Sequence, residues 1–179
     1  MRSQSISISS QVTRVRCRSQ HSATAAIKRL VGTWSNCLRT SGMSTLAIVD
    51  AGPLYAAADS DDRDHAASLA TLSRADLRLV VAALAVAEAT YFVGRRLGPV
   101  AEQSFLSGLG GLDVEGPTSE DFARMGELVK QYEDFPLGGT DASVVALAER
   151  LDASLIVTLD RRHFAAVKPR HCDSFQLLP

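Results

Sequence analysis

Residues 46–53 read LAIVDAGP: four apolar residues, an aspartate, then Ala51 and Gly52-Pro53. An apolar run this short, without polar alternation and closed by turn-forming residues, is the signature of a strand buried on both faces, as parallel strands are. The expectation is a strand over 46–49, a turn at Gly52-Pro53, and Asp50 at the strand's carboxyl end.

Working outward, strand and helix patterns alternate. A helix is expected over 64–74 with Asp64 as its cap, then a strand over 77–81. A second helix over 83–97 turns Leu84, Val86, Ala87, Ala89 and Tyr91 inward and stops at Gly98-Pro99. Residues 99–107 read as helix and 112–115 as strand. Thr118 opens a helix with a capping-box acid at Asp121 and an apolar stripe of Met125, Leu128, Val129 and Tyr132, ending near Phe135-Pro136. After a turn at Gly138-Gly139, Thr140 is placed to cap a helix whose Val144, Val145, Leu147, Ala148 and Leu151 face the core. Strands over 155–159, ending at Asp160, and 175–178 complete the pattern. Such alternation implies right-handed crossovers, hence an α/β domain: a parallel-rich central sheet of four to five strands with helices on both faces.

Charge divides the chain of 179 residues in two. Residues 1–42 hold seven basic residues and no acidic one, which leaves twelve basic against twenty acidic residues from 43 onward, a net of −8. The basic, Ser-rich segment carries only a short helical pattern around 23–31. It reads as a disordered or mis-started extension, against the alternatives of a nucleic-acid arm or a transit peptide. Met43 is the expected opening of the folded domain, residues 43–179. No stretch reaches the roughly 18 apolar residues that span a membrane. Cys17, Cys37 and Cys172 have neither metal-ligand spacing nor an even count, and read as unpaired thiols of a cytoplasmic protein.

Four acids fall where apolar segments meet turns or helix starts: Asp50, Glu88, Asp141 and Asp160. On the plan above, Asp50 and Asp160 end strands at the carboxyl edge of the sheet, where open α/β folds bind ligands. Asp141 opens a helix that returns to that edge, and Glu88 lies within about two turns of it. Taken singly, Asp141 reads as the complement of its helix's positive end, and Asp50 and Asp160 as ordinary loop carboxylates. Glu88, in the apolar stretch AALAVAEATYF, reads as a buried acid that needs a partner. No Lys or Arg lies within a helical turn of it, so a metal or proton-sharing acids are the economical account. Oxygen donors suit Mg²⁺ or Mn²⁺ over zinc. His21, His65, His163 and His171 are scattered and receive no metal role.

The blocks AIVDAGPLYA around Asp50, LAVAEATYF around Glu88, PLGGTDASVVALAERL around Asp141 and LIVTLDRRHF around Asp160 resemble the four acidic blocks of PIN-domain ribonucleases. Their order and gaps, 38 residues from the first to the second and 19 from the third to the fourth, are similar to those of VapC toxins of bacterial toxin–antitoxin pairs. The resemblance covers 44–179. It implies a PIN-like fold and an Mg²⁺- or Mn²⁺-dependent endoribonuclease in which Asp50, Glu88, Asp141 and Asp160 hold the ions and position water. Thr158 and Thr140 are the supporting candidates, Thr140 also reading as a helix cap. It further implies homodimerisation and a cognate antitoxin that fills the site with a basic segment, which suits a net −8 domain. Many family members carry Thr or Ser after the first aspartate; Ala51 and Gly52 stand here.

Arg95 and Arg96, and Arg161, Arg162 and His163 beside Asp160, are the cations available to RNA, each read singly as a solvated surface charge. A catalytically silent PIN scaffold acting as a binding module is the alternative, and it would require a lost acid. A phosphoryl-transfer receiver, suggested by Asp50 and Lys168-Pro169, is rejected. It would need an acidic pair on the first strand, and its lysine on a separate strand.

Overall fold

Thr45–Val49 forms β1, the central strand of a five-stranded sheet in the order β3-β2-β1-β4-β5. This computed structural model describes residues 44–135 and 137–179; the readings made for residues 1–42, including Cys17, Cys37 and His21, lie outside them. The other strands are β2 (Leu77–Ala82), β3 (Asp113–Glu115), β4 (Leu155–Val157) and β5 (Gln176–Leu178). All four pairings are parallel, with Val49 opposite both Val81 and Val157. The helices that carry the crossovers are α1 (Ala51–Ala58), α2 (His65–Leu72), α3 (Ala83–Leu97), α4 (Pro99–Leu109), α5 (Ser119–Gln131), α6 (Gly139–Arg150) and α7 (Arg161–Ala166).

The chain winds outward from β1 through β2 to β3, then returns to the other side of β1 for β4 and β5. The order therefore reverses between β1 and β4, and the crevice at such a reversal is where open parallel sheets bind ligands. The sheet's middle is dry. Ile48, Val49, Val80, Val81 and Ile156 are fully buried beneath Leu54, Phe105, Leu128 and Phe164 from the helices. Each large side chain so buried contributes roughly 1.5–3 kcal/mol. Among the described residues no helix is long and apolar enough to cross a membrane.

Several local expectations change. Gly52-Pro53 is not a turn but the first turn of α1, where a proline's fixed φ and missing N–H are tolerated because that N–H has no intrahelical partner. Strand β4 ends at Val157, two residues early, because the chain turns there to aim Thr158 at Asp50. In α3 the core face is Ala85, Ala89 and Val93, while Ala87 and Tyr91 face solvent. Small residues carry that stripe, so a reading that followed the bulky ones was rotated off it. In the same way Val129 of α5 is exposed while Met125 and Leu128 are buried. Helix α2 is shorter than 64–74, and Asp64 at its start makes no side-chain cap bond. The segment of Asp59, Asp61, Asp62 and Asp64 is an ordered loop: Asp59 accepts from the Tyr55 hydroxyl at 2.7 Å, and Asp62 from the Asp64 N–H at 2.8 Å.

The capping box forms as its sequence implies. Thr118 Oγ1 accepts from the Asp121 N–H at 3.1 Å, and Asp121 Oδ2 accepts from the Thr118 N–H at 2.9 Å. Arg150 Nε donates to the same Asp121 oxygen at 2.9 Å, tying α5 to α6. A second tie is nearly buried, Arg124 gripping both Glu149 oxygens at 2.8 and 2.9 Å. Removing the cap with Thr118→Ala should cost about 1 kcal/mol in denaturant unfolding. An unchanged midpoint would show that the Arg150 contact alone holds the helix start.

Candidate active site

Asp50 follows β1 directly and stands at the N-cap position of α1, yet its side chain does not cap the helix. It points instead to β4, where Thr158 Oγ1 donates to its Oδ2 at 2.8 Å. The same hydroxyl accepts from the Asp160 N–H at 2.9 Å, so one fully buried threonine joins the turns that carry two of the acids. Asp50 is only 5% exposed. Burial raises its pKa to about 6 against the opposing bonds from Thr158 and the Ala51 N–H, and the charges of Asp141 and Glu88 push the same way.

Asp141 lies in the first turn of α6 and accepts from the Gly138 N–H at 3.3 Å, reaching back to the residue before the helix. That bond corrects two expectations. Gly138 is the N-cap and Gly139 is already helical, so Thr140 is not the cap. Among the described residues the Thr140 hydroxyl makes no hydrogen bond to any of the four acids; its carbonyl accepts from Ser143. Burial, and then the charges of Asp160 and Glu88, raise Asp141 above the usual carboxylate range, opposed by the Gly138 N–H and by His163. Glu88 is half-buried on α3, and its charge is felt by both Asp50 and Asp141. The most enclosed acid is thus Asp50, not Glu88 as its apolar neighbours in sequence suggested.

Asp160 is differently placed. It caps α7, its Oδ1 accepting from the His163 N–H at 3.0 Å while its Oδ2 meets the His163 ring at Nδ1. Burial pulls its pKa upward, but the His163 N–H and imidazole outweigh burial and hold it below the usual value. His163, read from the sequence only as a cation beside Asp160, is that carboxylate's hydrogen-bond partner, a role the sequence reading missed. The signal was the spacing D-x-x-H, which puts an N-cap aspartate and the third helical residue in contact.

The four acids are therefore brought into one electrostatic neighbourhood at the β1/β4 reversal. Among the described residues, no three His, Cys, Asp or Glu side chains form a ready metal cage. The donor chemistry nevertheless fits a hard divalent cation: oxygen ligands only, with Asp50 and Asp141 pushed toward protonation first by burial and then by the charges of neighbouring site acids. A cation would relieve that.

The candidate RNA-contact arginines are not equivalent. Arg161 donates to the Pro179 carbonyl, and Arg162 lies over the Phe135 ring with Cζ 5.0 Å from its centroid. Arg96 sits over Tyr55 and Phe92 at 5.3 and 5.1 Å, while Arg95 is exposed. Cys172 is a free thiol, as expected.

Fold and site together define a class: a parallel α/β domain with a carboxylate cluster at its topological switch point. Residues 47–168 match the PIN domain family. Ribonuclease VapC26 of Mycobacterium tuberculosis (strain ATCC 25618 / H37Rv) is 34% identical over 134 residues, covering 74% of this chain and 99% of that protein. The crystal structure of Mycobacterium tuberculosis VapC20, described as a Sarcin-Ricin loop cleaving toxin, superposes with a TM-score of 0.63 at 16% identity, over 67% of this chain and 94% of that one. That second likeness concerns the fold. The chain belongs to the PIN domain family and is of the VapC ribonuclease type.

Proposed function

We propose that this chain is the toxin of a toxin–antitoxin pair, an endoribonuclease whose four acids hold Mg²⁺ or Mn²⁺ against an RNA phosphodiester. The observation that carries the reading is Asp50: a carboxylate 5% exposed, raised to about 6, with acids as its nearest charges. Crevice carboxylates that are shifted by burial and by like charges cluster at functional sites. Bound between Asp50, Glu88, Asp141 and Asp160, the ion would supply a water of lowered pKa and neutralise charge growing on the phosphate.

The chain's own residues do the rest. Thr158 fixes the orientation of Asp50 through its hydroxyl, and His163 fixes that of Asp160. The Gly138 N–H fixes the orientation of Asp141 at the start of its helix. All four acids are present, which disfavours the silent-scaffold reading. A net of −8 over residues 43–179 suits a basic antitoxin segment laid across this cleft; a homodimer is what the family resemblance implies. The cytoplasm is the expected place of action.

Purified protein should cut structured RNA with added Mg²⁺ or Mn²⁺ and stop in excess chelator; Asp141→Asn should lose most of the rate. Cutting that persists in chelator would overturn the metal mechanism.

A further inference from the structure

Beside Asp160 stands a cluster whose outer members, Phe135 and Arg162, the metal chemistry does not use. Phe135 lies on the loop that leads from α5 into the start of α6, four residues before the helix that carries Asp141. Its ring meets the His163 imidazole edge-on, with centroids 4.9 Å apart and planes at 66°. The exposed Arg162 guanidinium lies over the same ring at 5.0 Å. His163 is itself tied to Asp160 by its backbone N–H and its ring. An unbroken set of contacts therefore runs from a site carboxylate to an arginine held against an aromatic face.

We propose that Arg162, supported by Phe135, is a stacking platform that seats an unpaired nucleobase of the RNA beside the scissile phosphate. The inference rests on the ribonuclease reading and deepens it, because it names the residue that grips the base and the kind of RNA gripped. The physical case has three parts. A guanidinium is planar and weakly hydrated, and stacks on bases and aromatic rings alike, so an exposed one held against Phe135 can offer its outer face to a base. An acidic domain gains little from phosphate attraction and must draw affinity from contacts that do not depend on net charge. Stacking of this kind is strong and tolerant of base identity. Of the four candidate arginines, Arg96 is held over Tyr55 and Phe92 with Asp59 and Asp62 as neighbouring charges, and Arg161 is engaged by the Pro179 carbonyl. Arg162 is exposed, anchored, and two residues from Asp160. Unpaired bases occur in loops and bulges, so the platform favours these over continuous duplex.

The test uses the full chain in chelator, so that binding is read without cutting, with short RNA loops that each carry one 2-aminopurine. The wild-type chain should quench the probe at one position. Arg162→Lys, which keeps the charge and loses the plane, should abolish that quenching and weaken binding roughly 5- to 100-fold, the loss of one base stack, with the salt dependence unchanged. Phe135→Leu should act in the same direction and Phe135→Trp should restore quenching. If Arg162→Lys binds and quenches like wild type while Arg162→Gln lowers the salt slope by about one, Arg162 contacts a phosphate and the platform is overturned. If the wild-type chain neither binds RNA here nor cuts it with metal added, the ribonuclease reading falls first and the platform with it. A wild-type chain that cuts normally while Arg162→Lys keeps both affinity and quenching refutes the platform alone.

Discussion

Asp50→Asn is expected to make the metal-free protein more stable at neutral pH while abolishing RNA cleavage. An unfolded Asp titrates near 3.8, whereas in the fold Asp50 titrates at about 6. Between those values the folded chain holds a proton that the unfolded chain has lost, so stability contributed at this position falls as pH rises through the window. Above about 6 the penalty is complete, at about 3 kcal/mol from a shift of roughly two units. Asn removes it while keeping an acceptor for the Thr158 hydroxyl, at the cost of a buried amide donor of about 1–3 kcal/mol, which leaves a net gain of up to about 2 kcal/mol. For a domain of this size each kcal/mol is worth about 2–4 °C.

Melting in chelator should therefore show the variant above wild type at pH 7.5 and level with it or below it near pH 4. Comparison at each pH cancels the opposite slope from Asp160, Glu149 and Asp76, whose depressed values make the fold lose stability in acid. Raised Asp141 leaves some of the neutral-pH slope in the variant. Adding Mg²⁺ should then raise the wild-type midpoint, by about 2.7 kcal/mol at a hundred-fold excess over Kd, and leave the variant nearly unmoved. Equal midpoints at pH 7.5 in chelator would show that Asp50 is not held ionised against its surroundings.

The strain at Asp50 bears on what could be read beforehand. The sheet was legible because LAIV, LRLVV and LIV are apolar runs of strand length, separated by helical patterns. Asp50 and Asp160 were legible as a pair because each follows such a run, whereas Thr158 came only with the family resemblance and was expected inside a strand running to 159. Burial was not legible. Glu88 has apolar neighbours in sequence but sits half-buried at the crevice, since a helix can carry one polar residue on the face that looks into a cleft. Asp50 has ordinary neighbours and is nearly inaccessible, its carboxylate held against the fully buried Thr158 from the far side of the sheet's reversal. Residue order does not encode which element lies on top. The same holds for His163, which is unremarkable until α7 begins at Arg161 and brings it onto its own cap.

Thr158→Val should strike harder than its conservative shape suggests. The side chain is fully buried, and its one hydroxyl serves two partners, donating to Asp50 Oδ2 at 2.8 Å and accepting from the Asp160 N–H at 2.9 Å. Valine fills the space and serves neither. A carboxylate at least nine-tenths enclosed loses a donor, and a backbone N–H loses its acceptor, each costing about 1–3 kcal/mol. The consequence for activity follows from sign. The Thr158 bond lowers the Asp50 pKa, so its loss moves that pKa further up and leaves more of the carboxylate protonated at neutral pH. A protonated carboxylate is a poor ligand, so metal affinity and cleavage should fall by about 10- to 100-fold, the usual effect of removing a ligand's supporting hydrogen bond. Raising the pH should recover part of the rate, which mere loosening of the turn would not allow. Thr158→Ser keeps the hydroxyl and should restore both rate and pH profile. A Thr158→Val protein that cuts at the wild-type rate with an unshifted profile would mean that the orientation of Asp50 is set by α1 alone, through the Ala51 N–H.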